Sequence, residues 1–495
     1  MPLSPSDAFA GPGPPPMDAV KPVEVDSGCE PAEPLVEELP PATDPWDAAQ
    51  RLARRRGLLF LDSADRDSPQ GGCSFVAADP FEVLRGREAA GRVLEQLAAR
   101  LRVWRSTTLP GLPPFQGGAA GVFAYELGRH LEQRVPPPRH DEFSLPHLDV
   151  GFYDWVLAFD HRGGRAWLIS TGRPETVPTA RRRRAEQRLR QVRGWLRNPP
   201  AESVWPGRPP AGPRVRQHAL PGFPGVTSTF SRAEYLAAVR RVVDYIQAGD
   251  CFQVNLAQRL LCRAEGRGPL DLYASLRERN AAPFGGLYAA EDFVVASSSP
   301  ERFLRVRCGE VETRPIKGTR PRGATPAADA AIRAELSGSV KDRAENVMIV
   351  DLLRNDLGRV CGYGTIHVPA VCHVESYRYV HHLVSEVRGR LRPDCRRVDL
   401  LKAAFPGGSV TGAPKIRAME IIAELEPTAR GPYCGSLGYL GFDGSMDSNI
   451  LIRTLIGSGG HLQFPVGGGI VADSVPEEEY EETLHKAAGL LRALG

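Results

Sequence analysis

The order of the apolar segments limits this chain more than any other feature. Beyond residue 225, strand-like apolar runs fall at 251–262, 292–298, 434–442, 447–456 and 461–464. Helical stretches interrupt them without a regular strand-helix alternation. That order predicts an α+β fold and argues against a doubly wound sheet.

The clearest helix signal covers 232–248. Ser231-Arg232-Ala233-Glu234 has capping-box spacing, Tyr235, Leu236, Val239, Val242, Val243 and Ile246 recur at helical intervals, and Gly249 supplies a stop. A second helix is predicted at 341–357, and a third follows Pro476, a favoured first helical residue.

With 495 residues, 42% of them apolar, the chain can bury one large core or two domains. Residues 1–44, rich in Pro, Ala and acidic side chains, read as a disordered tail. Residues 45–200 form an N-terminal region whose runs at 57–61 and 151–159 look like buried strands. Dense Pro and Gly make 201–225 a linker, and 226–495 is the region that holds the chemistry.

Lys and Arg number 62 against 59 Asp and Glu, a balance that gives no support to nucleic-acid binding. Eight arginines crowd 181–197, but Leu189, Val192 and Leu196 share one face, so the stretch reads as an amphipathic surface helix. Nine cysteines without a Cys-x-x-Cys pair argue against a zinc site or disulfide framework. No apolar run reaches the roughly 18 residues of a membrane span, and no signal peptide opens the chain. A reducing cytoplasm is the expected setting.

Two acidic pairs stand out. Asp342 with Glu345, and Glu479 with Glu482, are spaced to share a helical face, and converging faces would offer the hard oxygen ligands that Mg2+ prefers. The loop 407–413 precedes a helix predicted to begin at Pro414, so backbone N–H groups near Thr411, Gly412 and Ala413 could face an anion, helped by about 0.3 to 1 kcal/mol from the helix dipole. It is not a Walker loop, because Pro414 separates Ala413 from Lys415. Gly467-Gly468-Gly469 offers a second close backbone approach, or simply a tight turn.

Five segments then act together: Ser298-Ser299-Pro300-Glu301-Arg302-Phe303, Arg314-Pro315-Ile316-Lys317-Gly318-Thr319, Lys341-Asp342-Arg343-Ala344-Glu345-Asn346, the loop 407–415 and the run 467–474. They resemble the chorismate-utilising enzymes of the anthranilate synthase component I family, strongly over 226–495 and more weakly over 46–200. The resemblance implies large antiparallel sheets packed with helices and a Mg2+-dependent enzyme acting on chorismate. It makes Glu345 and Glu482 direct metal ligands, with Asp342 and Glu479 one step removed. It puts Arg453 and Lys486 on substrate carboxylate, Tyr433 and His382 beside the substrate, and Glu301 as the acid at the departing C4 hydroxyl. Asp62 and Ser63 fall in the segment that lines a tryptophan pocket in relatives. Asn280-Ala281-Ala282-Pro283-Phe284 departs from the usual Asn-Pro-x-Pro at Ala281.

Lys317 selects a branch within the resemblance. Anthranilate-forming relatives commonly carry a small residue there, whereas a Lys can attack C2 first and send ammonia to C4. The implied product is 4-amino-4-deoxychorismate, precursor of 4-aminobenzoate and folate, with ammonia from a separate glutamine amidotransferase subunit. No appended amidotransferase or lyase domain is expected after the last helix. Isochorismate and salicylate formers also have a Lys at this place, used as a general base toward water. Asp447 and Asn449 look more like the aminodeoxychorismate-forming branch. Anthranilate synthesis, isochorismate or salicylate synthesis, and a non-catalytic binding protein are the rival readings.

Overall fold

The computed structural model describes residues 33–87, 90–200, 203, 205, 215–264 and 266–494. Two antiparallel sheets dominate, of thirteen and ten strands among the described residues. The α+β expectation holds. In the larger sheet, Leu58–Asp62 pairs with Phe284–Ala289, followed by Val294–Ser299, Thr454–Ser458, His461–Ile470 and Gln253–Arg263. In the smaller, Ile316–Pro321 forms one edge, next to Val380–Arg390, and Ser436–Gly441 pairs with Gly118–Phe123. Each sheet therefore mixes strands from 45–200 and 226–495, and Ala32–Gly495 clusters as one compact unit.

The stretch 201–225 is not a free linker where it is described. Ser203 accepts a hydrogen bond from the Leu270 N–H at 2.9 Å, and the Trp205 indole donates to the Arg267 carbonyl at 2.6 Å. His218–Ala219 pairs with Thr227–Ser228 at the end of the larger sheet. Part of the expected tail is a strand. Leu35–Glu38 pairs with Arg165–Ser170 as the opposite edge of that sheet, because Leu35 and Val36 supply a short strand within the Pro-rich context. Residues 1–32 lie outside the described residues.

The capping box signalled by the sequence forms, and a second cap joins it. Ser231 and Glu234 close a capping box on Arg232–Gln247, with Oε2 of Glu234 accepting from the Ser231 N–H at 2.7 Å. Ser339 caps Val340–Gly358 by accepting from the Asp342 N–H. Pro476–Leu494 packs on His461–Ile470 and on Arg232–Gln247. The arginine-rich helix, Pro178–Leu196, is less of a surface helix than its charge suggests, since Arg181 and Arg188 are buried. Arg184 and Arg188 hold Asp154 at 2.9 and 3.1 Å.

Asp154 marks a feature invisible in the apolar pattern. The predicted strand 151–159 is two strands: Leu148–Tyr153 belongs to the smaller sheet and Trp155–Asp160 to the larger. The predicted strand 447–456 divides likewise into Met446–Asn449 and Thr454–Ser458. A third crossing joins Val294–Ser299 to Arg302–Arg307. The last two run side by side, tied by Ile450 N–H to Glu301 carbonyl at 3.1 Å, Ser299 hydroxyl to Ile450 carbonyl at 2.6 Å, and Ser298 N–H to Arg453 carbonyl at 3.1 Å.

Candidate active site

Those paired crossings carry Glu301 and Arg453, so the candidate site opens where the chain passes between sheets. Glu301 is only 5% exposed. Burial pushes its carboxyl up to about 7, although the Ser409 hydroxyl, the Lys317 ammonium and the Ile316 N–H all favour the ionised form. Ser409 also touches Lys317, whose Nζ donates to the Ser409 carbonyl at 3.3 Å. One loop residue thus holds both members of the expected pair, through its hydroxyl and its carbonyl. Sequence reading passed over Ser409 itself; its place within Gly407-Gly408-Ser409 was the available signal.

Burial pushes the Lys317 amine below the ordinary lysine value. The carboxylates of Glu345, Glu301 and Glu482 pull it back up, while the Lys486 ammonium reinforces the drop. The amine therefore faces carboxylates from both acidic helices. Gly318 lets the first helix come close: a Cβ there would lie 2.9 Å from the Asp342 carboxyl carbon, and the residue sits at φ +82°. Asp342 itself pairs with Arg320 at 3.0 Å.

On the second helix, Glu479 and Glu482 lean together over Gly468. A Cβ on that glycine would meet Glu479 Oε2 at 3.1 Å and Glu482 Oε1 at 3.5 Å. Burial raises the Glu479 carboxyl against the Ser474 hydroxyl bond of 2.6 Å, and the Glu482 charge adds to the rise. The Glu482 carboxyl sits below its ordinary value despite burial, because Lys486, Lys341 and Lys317 surround it. Lys486 binds Glu482 at 2.6 Å and the Gly467 carbonyl at 2.9 Å, the i,i+4 salt bridge its spacing permits.

Among the described residues no three His, Cys, Asp or Glu side chains gather closely enough to enclose a metal. Mg2+ does not require such a cage, since it usually keeps several waters and takes one or two carboxylates. Glu345 and Glu482, drawn toward the same amine from two helices, fit that demand in donor chemistry.

Arg453 sits at φ +50°, and burial lowers its guanidinium below the ordinary arginine value. No ion pair or hydrogen bond to its side chain is found among the described residues. A half-buried guanidinium with no anion partner among the described residues has the donor chemistry to grip a carboxylate. Beside it, His382 is 2% exposed and held neutral, its pKa pushed down to about 3 by burial and the Arg453 charge. Its Nδ1 lies 2.8 Å from the Thr319 hydroxyl. The neighbouring His381 turns away, bonded to Ser376 at 2.9 Å and Asp329 at 2.9 Å.

The glycine loop differs from expectation. The helix begins at Lys415, with Pro414 as its cap, and Gly412–Ala413 pairs as a short strand with Gln253 and Val254. The Thr411 N–H donates to the Gly408 carbonyl at 3.3 Å, so that amide is already engaged. Lys415 is occupied by Asp356 at 2.6 Å. Gly467, Gly468 and Gly469 are likewise no turn; they lie inside His461–Ile470, opposite Ala257, Leu256 and Asn255. Tyr433 is buried against Arg430, whose guanidinium carbon stands 5.9 Å from its ring centre.

Asp62 and Ser63 line a separate cavity of about 340 Å3, together with Phe284, Arg302, Asp447 and Asn449. Asp62 is held by Arg277 at 2.9 Å and Tyr273 at 3.1 Å. Asp447 grips Arg302 through two bonds of 3.0 and 3.1 Å, and Asn449 bonds Leu437 and Phe284 backbone groups. Asp447 and Asn449 therefore serve this cavity and the sheet.

The chain belongs to the chorismate binding enzyme family, whose model matches residues 59–492. It is 45% identical over 381 residues to aminodeoxychorismate synthase component 1 of Klebsiella aerogenes, covering 77% of this chain and 78% of that one. It is also 45% identical over 385 residues to anthranilate synthase component 1 of Thermus thermophilus, covering 78% and 79%. Among solved structures, anthranilate synthase component I from Streptococcus pneumoniae TIGR4 superposes with a TM-score of 0.71 at 30% identity, over 86% of this chain and 93% of that one. No helix of the described residues is long and apolar enough to cross a membrane.

Proposed function

We propose that this chain converts chorismate and ammonia to 4-amino-4-deoxychorismate through a covalent adduct on Lys317. The observation that carries the reading is the placement of a half-buried Lys317 and a buried Glu301, its carboxyl raised to about 7, beside one residue, Ser409. A neutral amine can attack ring carbon C2. As that C–N bond forms, both ring double bonds shift by one position and the C4–O bond breaks, with Glu301 giving its proton so that the hydroxyl leaves as water. Such protonation is typically worth about 100-fold to 10,000-fold. Ammonia then bonds to C4, both double bonds return, the C2–N bond to Lys317 breaks, and the proton shed by the new C4 ammonium restores Glu301.

Arg453 suits a substrate carboxylate, since it can offer two parallel hydrogen bonds. Glu345 and Glu482 would hold Mg2+, with Asp342 and Glu479 behind them. When bound, Mg2+ on the ring carboxylate would draw electron density from the diene. A separate glutamine amidotransferase supplies the ammonia in this reading, so ammonium alone should support turnover and glutamine should require the partner.

The test is product analysis by chromatography and mass spectrometry, with purified protein, chorismate, Mg2+ and ammonium. Aminodeoxychorismate, convertible to 4-aminobenzoate by an added lyase, is the expected product. Anthranilate would assign the chain to the other branch represented among its relatives, and isochorismate or salicylate would make Lys317 a base toward water.

A further inference from the structure

Gln253 was not among the residues that sequence reading singled out. It stands at the start of Gln253–Arg263, is fully buried, and donates from Nε2 to Glu345 Oε2 at 3.1 Å. A carboxylate only accepts, so the amide nitrogen must face Glu345 and the amide oxygen must point elsewhere. That oxygen is buried and has no hydrogen-bond partner among the described residues. Gly469 makes the arrangement possible, since a Cβ there would come 2.5 Å from Gln253 Nε2.

A buried acceptor without a donor calls for one supplied from outside the chain. Substrate carboxylates cannot supply it, because they are acceptors themselves. A water in the hydration shell of Mg2+ can, since its lone pair faces the ion and its hydrogens face outward. We propose that Gln253 is a positioning residue for Mg2+: its nitrogen orients Glu345 and its oxygen receives a hydrogen bond from a water of the ion. The inference rests on the reading of Glu345 as a magnesium ligand.

Magnesium chloride titrated calorimetrically into the full chain, wild type beside Gln253→Leu, separates the two claims. Losing a partner behind a metal ligand typically weakens metal binding about 10–100-fold, and the variant should show that loss while KM for chorismate at saturating Mg2+ changes less than about two-fold. The Mg2+ dependence of turnover should shift by the same factor. Gln253→Met, which also lacks both polar atoms, replaces the leucine variant if that one does not fold. Equal Mg2+ affinity in wild type and variant overturns the role of Gln253 and leaves the metal reading standing. A wild-type chain that binds no Mg2+ overturns both. A raised KM for ammonium with unchanged Mg2+ affinity also overturns the proposal, by giving the orphan oxygen to the nucleophile.

Discussion

Replacing Glu301 by Gln should inactivate the enzyme and stabilise it, with a pH dependence that identifies the cause. The carboxyl is 5% exposed, and burial moves it from 4.5 to about 7. A group that binds its proton more tightly when folded favours the native state fully below 4.5. That contribution is lost as pH rises from 4.5 to about 7 and stays lost above. The gap of about 2.5 pH units corresponds to about 3 kcal/mol of native-state cost at pH 8. Gln keeps the volume and hydrogen-bonding reach without the charge, so the variant avoids that cost.

Unfolding entropy of about 2.1 cal/mol/K per residue gives a chain of this length about 1 kcal/mol/K, so the expected rise in Tm at pH 8 is about 3 °C. At pH 4.5 the difference should vanish. Calorimetric scans of both proteins between pH 4.5 and 9, beside initial rates with chorismate and ammonium, test the pair of effects. A Tm difference absent at pH 8, or constant across pH, would refute the claim that a buried ionised Glu301 strains the native state. Retained turnover would remove it as the acid.

Other perturbations probe the remaining parts of the site. Arg453→Met should raise KM for chorismate about 10–100-fold, the value of a charged hydrogen-bonding contact, while leaving or raising Tm because a desolvated unpaired cation is removed; steady-state kinetics and melting curves check both. Gly468→Ala would put a methyl 3.1 Å from Glu479 Oε2 and should raise the Mg2+ concentration needed for half-maximal rate, with an unchanged circular dichroism spectrum.

The legible parts of this molecule were those encoded locally. The capping box at Ser231 and Glu234 and the start at Pro476 depend on neighbours within one helical turn, so spacing sufficed to find them. Lys317 and Glu301 stood out through motif context, and the structure joins them through Ser409. The strand crossings were hidden for a physical reason. Residues 148–160 are nearly all buried on both faces, so no polar alternation marks where the chain leaves one sheet for the other. Asp154 was the one charged residue within 151–159, and its meaning depends on Arg184 and Arg188, some thirty residues away.

Gln253 shows the same limit at the level of chemistry. A single polar residue in a strand reads as a solvent-facing position, yet here it is fully buried and its partner lies on a helix ninety-two residues further on. Two sequence features bear on it, Gly469 across the ladder and the Asp342 and Glu345 pair, and neither points to Gln253 without the register. The site is assembled by the ladder between Gln253–Arg263 and His461–Ile470 as much as by its motifs. That ladder brings Gly468 under one acidic pair and Gln253 beside the other. A one-residue slip in pairing would turn Gln253 to the opposite face and break its bond to Glu345 while leaving every motif intact in sequence. The bond between Gln253 and Glu345 therefore depends on a strand register that no motif contains.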